Sequence, residues 1–119
     1  MKTVREFLER KLVRAELGDQ LRLATDGADH ATLGPHQGTL IGPRGALAFY
    51  TDGLVPADGA ALRYDALVSI AEVSDGDGVA VELRSAEQTY RLRTSPAGAV
   101  VTFAALRWVG RALLRRPLD

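Results

Sequence analysis

The sequence predicts an α+β fold, mainly β: about seven short antiparallel strands in two sheets, capped by a C-terminal helix and preceded by an extra N-terminal helix. Three observations point there. Val79, Val81 and Leu83 alternate before a polar turn and Tyr90 and Leu92 after it, the pattern of a half-buried antiparallel pair. From Ser95-Pro96 to Leu114 the apolar residues recur at helical spacing instead. Between Leu62 and Val73 the alternation breaks at Asp65-Ala66 and resumes, as in a strand that bends and hands the chain from one sheet to another.

Taken in order, Thr3 and Glu6 have the spacing of a capping box, and Glu6, Arg10 and Arg14 follow at i,i+4 intervals. Val4, Leu8, Leu12 and Ala15 make a narrow apolar stripe with Phe7 at its edge, and Gly18 is the expected stop. Residues 1–18 are thus an amphipathic helix that needs something to dock against, because a helix this short is marginal alone. Residues 19–119 form the rest of a single structural domain. A strand is expected over residues 20–25, then a long loop through residue 37 holding His30 and His36. Strands resume on either side of the Gly42-Pro43-Arg44-Gly45 turn, where proline presets φ. Residues 52–59 read as a loop, with Pro56 unable to donate within a central strand. The bent strand follows, then a hairpin closed by Asp75-Gly76-Asp77-Gly78, then the helix. Its expected core is Leu40, Leu47, Phe49, Leu67, Ile70, Val81, Leu83, Leu92, Phe103 and Leu106.

The chain has 119 residues and no cysteine, which fits one domain and excludes disulfides and thiolate metal sites. The opening residues carry charges every few positions and no apolar leader segment, and no apolar run approaches the roughly eighteen residues of a membrane span. A cytoplasmic protein is expected. Its formal net charge of zero is segregated: residues 1–22 hold six Lys/Arg against four Asp/Glu, residues 23–82 two against nine, and residues 83–119 seven against two. Basic ends and an acidic middle attract one another. Without clustered lysines and aromatics they do not describe a nucleic-acid surface.

The stretches GTLIGPRGALAFY, LRYDALVSIAEV and VAVELRSAEQTYRLRT, followed by a helix with FAALRW, resemble the small bacterial pleckstrin-homology-like (PH-like, GRAM-like) domains over residues 20–116. The resemblance implies a sandwich or partly open barrel of two sheets, four strands and three, with one open corner plugged by the helix. Lipid-binding members place Lys and Arg in the loop joining their first two strands. Here residues 25–37 carry Asp26 and Asp29 and neither Lys nor Arg, so an anionic headgroup is not expected at that loop.

Few residues suggest chemistry. His30, His36, Asp26 and Asp29 include metal-binding residue types, but their spacing matches no metal motif and they read as solvated loop residues. There is no nucleophile elbow and no phosphate-cradling glycine loop. No catalytic residue, metal or cofactor is expected. On the last helix Ala99, Phe103, Leu106, Gly110, Leu113 and Leu114 share a face that would plug the sandwich, with Gly110 allowing close approach to a strand. Val101, Ala105, Trp108 and Ala112 fall nearly opposite, a second stripe that wants its own partner, the first helix being the natural occupant. Arg107, Arg111 and Arg115 form a ladder along one edge, able to snorkel over apolar surface, toward Glu6, Glu9 or Glu16, or to meet an anion. The expected function is a non-catalytic interaction or adaptor module. It would bind another protein or a second copy through this helix (Val101, Ala105, Trp108, Ala112, Arg107, Arg111, Arg115) or through an exposed strand edge. The alternative is an anionic membrane surface on the arginine ladder.

Overall fold

Thr3 starts the first helix as its spacing predicts: its hydroxyl accepts the Glu6 amide at 3.1 Å. In the computed structural model, which describes residues 3–15, 21–42, 45–57, 59, 61–76 and 78–118, helix α1 spans Val4–Ala15. Residues 12–15 and 75 are described through their backbone alone. The expected stop at Gly18, the strand start at Gln20, Glu16 as an arginine partner, the stripe side chains of Leu12 and Ala15, and turn residues Pro43, Arg44 and Asp77 lie outside these descriptions.

Among the described residues eight strands follow: β1 (Arg22–Ala24), β2 (His36–Gly42), β3 (Gly45–Tyr50), β4 (Gly53–Pro56), β5 (Leu62–Arg63), β6 (Leu67–Asp75), β7 (Gly78–Ser85) and β8 (Thr89–Thr94). They form two open antiparallel sheets, β1-β2-β3-β4-β5 and β6-β7-β8. Helix α2 (Pro96–Val109) closes the fold and continues into a π-helical turn, Gly110–Leu114.

The first sheet has one strand more than expected, and the addition corrects the loop assigned to residues 52–59. Leu54 of β4 stands between Phe49 and Leu62 in register, and all three are buried. Pro56 is tolerated because the neighbouring bond runs from the Ala57 amide to the Ala46 carbonyl, making Leu47–Pro56 a non-bonded pair. Its missing N–H would point toward β5, which among the described residues pairs with Gly53 and Leu54 and not with Pro56.

The bend at Asp65-Ala66 is a 3-10 turn, Tyr64–Ala66, and it carries the chain between the sheets. Tyr64 fixes it: the side chain is buried, its hydroxyl donates to the Tyr50 carbonyl at 2.8 Å, and burial raises its pKa far above the usual phenol range. A register shift at Val68 then lets Leu67 and Ile70, three residues apart, both face inward, while Val68 is 57% exposed.

Ser95 caps α2 by accepting the Gly98 amide at 3.1 Å, with Pro96 in the first turn. The helix packs on the second sheet and against α1, which itself lies over β1 and β2. Leu8 shows how close that approach is: a Cβ on Gly38 would stand 3.4 Å from its Cδ1 and 2.7 Å from that of Leu23. Covered on two sides, α2 buries Ala99, Val101, Thr102, Ala105, Leu106, Trp108 and Val109. From Pro96 to Leu114 it is 19 residues long, and an 18-residue window of it has mean hydropathy 1.4 and is half buried in the fold.

Phe103 corrects the expected core. It is only partly buried, and the Arg107 guanidinium lies over its ring at 5.1 Å. Leu113 is 44% exposed rather than plugging the sandwich. The wider π-helical turn shifts the angular register after Gly110, so extrapolating α-helical spacing misplaces it. Nor does Gly110 admit a strand. Residues 116–118 fold back over it, so that a Cβ there would meet the Arg116 carbonyl oxygen at 2.7 Å and the Leu118 amide nitrogen at 3.1 Å.

Candidate functional site

The residues singled out on α2 divide into a covered set and an exposed set. Val101 and Ala105 are fully buried and Trp108 is 8% exposed, all within one continuous core with Val4 and Leu8. The second stripe is therefore not a surface apart from the core. Phe7 of α1 stacks on Trp108, with centroids 5.7 Å apart and planes 25° from parallel. Ala112 lies exposed beyond that cover.

Arg107, Arg111 and Arg115 are all exposed. The fold gathers them with two residues that helical spacing did not select, Arg116 and Pro117. Arg107 and Arg111 flank a depression of about 170 Å³ against Pro117 and Leu118. Arg111, Arg115 and Arg116 line an adjoining one of about 380 Å³, also against Pro117. Arg116 is structural as well: its guanidinium donates to the carbonyls of Asp65 and Leu67, tying the end of α2 to the turn between the sheets. Buried Leu118 helps fix the same fold-back. Arg111 and Arg115 have no side-chain partner among the described residues.

Arg115 has a second distinction. At φ 57° and ψ 34° it is the non-glycine residue with positive φ among those described. The left-handed conformation lets the chain turn back, the Arg116 amide donating to the Gly110 carbonyl at 2.9 Å. Glycine would adopt it at no steric cost, whereas an L side chain pays roughly 1–2 kcal/mol. No periodicity in the sequence announces this, since the signal is an arginine where a helix end favours glycine.

The histidine loop differs from its expected solvated form. His36 opens β2 and is 4% exposed, its Nε2 2.7 Å from Thr39 Oγ1 and its backbone N–H donating to Asp29 Oδ1 at 3.1 Å. Its ring lies under Gly27, where a Cβ would come within 2.7 Å, and meets Tyr50 edge-on at 5.4 Å. His30 Nδ1 accepts the amides of Thr32 and Leu33, capping a turn that buries Leu33. The loop is thus built into the domain through buried side chains. Among the described residues there is no group of three His, Asp or Glu placed to hold a metal.

Arg5 crosses from α1 to this loop. Its Nε donates to the Gln37 carbonyl at 3.0 Å and its Nη2 to the His36 carbonyl at 2.8 Å, while the Gln37 side chain accepts the Arg5 amide at 3.3 Å. Gln37 is free to do so because the β2–β3 register skips it, a bulge between His36 and Gly38.

The chain matches none of the protein-family models, curated proteins or solved structures compared with it. Function is therefore read from these side chains.

Proposed function

We propose that the chain is a non-catalytic protein-interaction module of pleckstrin-homology-like type that takes an acidic segment of a partner on Arg107, Arg111 and Arg115. The observation that carries this reading is Arg115: an exposed guanidinium with no partner among the described residues, held at a backbone conformation that glycine would occupy more cheaply. Arg111 stands beside it, shared between two open depressions that give a carboxylate-bearing chain room to lie down. Guanidinium forks suit paired carboxylate oxygens. The covered Trp108 face is closed to a partner, whereas these arginines are exposed.

An anionic membrane is the second reading, and Leu113 favours it. An exposed leucine between Arg111 and Arg115 could enter the acyl boundary while the guanidiniums meet phosphates. The test uses a fluorescein-labelled glutamate-rich peptide and phosphatidylserine vesicles, each at low and high salt. Binding of the peptide, abolished by the double substitution Arg111→Glu, Arg115→Glu and unchanged by Leu113→Ser, supports the protein reading. Vesicle binding weakened by both variants supports the membrane. If neither probe binds at low salt, both readings fall.

A further inference from the structure

We propose that α1 is a latch over the Trp108 face and that protonation of His36 releases it. The proposal rests on a different region from the arginine surface and stands independently of it.

Arg5 makes a polar joint for the latch. Arg5 anchors α1 through the carbonyls of His36 and Gln37, with a longer contact to the Thr25 carbonyl at 3.5 Å. An apolar hold is added by Val4 and Leu8 and by the stacking of Phe7 on Trp108. The loop on the other side of the joint runs straight into β2 and is itself bonded to the sheet. The Thr51 amide donates to the Pro35 carbonyl and the Asp52 amide to the Leu33 carbonyl, and Asp29 holds the His36 amide. If the joint is strained, α1 is the part that leaves.

His36 is placed to strain it. Its Nδ1 is buried with no hydrogen-bond partner among the described residues. With the proton on Nε2 and shared with Thr39, that nitrogen is a bare lone pair, which burial tolerates. Protonation would turn it into a cationic N–H with no acceptor, on a residue whose own carbonyl holds the Arg5 guanidinium. The charged and titratable groups around the ring are Arg5 from α1, Asp26 and Asp29 from the loop, and Tyr50 from β3, with His30 on the Tyr50 ring. Burial first and Arg5 second lower the His36 pKa from 6.5, outweighing the two aspartates. A depressed imidazole favours the closed state above its free pKa. Release of α1 takes the Arg5 guanidinium away from the imidazole, so the open form takes up the proton more readily than the closed form, and the closed state's advantage is lost as pH falls below 6.5.

Trp108 is the only tryptophan, so its fluorescence reads the latch directly. Emission and iodide quenching are followed from about pH 8 to about pH 5, with circular dichroism recorded in parallel. The expected result is a red shift and a rise in quenching with a midpoint below 6.5 while the β signal persists. His36→Gln, which keeps a polar group in reach of Thr39, should remove the transition, and His30→Gln should leave it in place. Arg5→Ala should give the red-shifted emission already at neutral pH. Emission that stays blue to the acid end, or a transition that survives His36→Gln, overturns the proposal. Should His36→Gln not fold, the imidazole resonances of His36 in the parent decide. Their midpoint must coincide with that of Trp108, and a His36 that titrates while Trp108 stays covered refutes the latch.

Discussion

Replacing Arg115 separates what its backbone costs from what its side chain does. At φ 57° the residue sits in the left-handed region, where the Cβ of an L-residue crowds the following carbonyl. Arg115→Gly removes that contact, relieving roughly 1–2 kcal/mol, and returns about 0.5–1 kcal/mol by giving the unfolded chain more freedom. The net expectation is a gain of about 0.5–1 kcal/mol. Arg115→Ala keeps the Cβ, so it should leave stability within about 0.5 kcal/mol of the parent. Both variants lose the guanidinium and should lose peptide binding alike. Urea denaturation of all three at fixed pH measures the first quantity, and a gain near 1 kcal/mol moves the midpoint by about 0.5 M. An Arg115→Gly protein no more stable than Arg115→Ala would refute the argument from strain and remove the chief support for the arginine surface.

Two packing predictions follow from α2. Leu106→Ala should cost about 2–5 kcal/mol because the side chain is fully buried, whereas Phe103→Ala should cost only about 1–2 kcal/mol, since half-burial and one cation–π contact are all it loses. Parallel melts check the order, and a Phe103 variant as damaged as Leu106 would place that ring back in the core. Gly110→Ala should destabilise by about 1–3 kcal/mol, because the new methyl meets backbone atoms of Arg116 and Leu118. Its near-ultraviolet spectrum and melting temperature read the effect, and an unchanged melt would mean that the fold-back over Gly110 is absent.

The sheets were legible wherever side chains alternate. Val81, Leu83 and Leu92 face inward as their spacing requires, and the break at Asp65-Ala66 marks the passage between sheets. What escaped has local causes. Strand β4 is four residues long, ends in proline and offers no alternation to count, so only its neighbours reveal it. The shift at Val68 produces an inward pair three apart, which resembles neither period. Past Gly110 a π-helical turn breaks the helical count, and Leu113 goes to solvent with it. At the candidate site the sequence could show that α2 carries two apolar stripes and an arginine ladder. It could not show that Pro117 and Leu118 would fold back among those arginines, nor that a loop histidine would be sealed under Gly27.

The segregated charges of the sequence invite a picture in which basic ends pair with an acidic middle, and the two best-anchored arginines do something else. Arg5 and Arg116, one near each end of the described chain, spend their donors on backbone carbonyls: Arg5 on His36 and Gln37, Arg116 on Asp65 and Leu67. Each ties a helix to the place where a strand begins, β2 for α1 and β6 for α2. A carbonyl has no charge to cancel a guanidinium, so these joints leave the positive charge of the ends in place. Among the ion pairs of the described residues, Arg63–Asp65, Arg84–Glu82 and Arg91–Glu82 are local to a turn or to the second sheet. At the end of α2, Arg116 adds to Arg111 and Arg115, and none of the three has a carboxylate partner among the described residues. This cluster would draw acidic partners at low salt and lose them as screening rises.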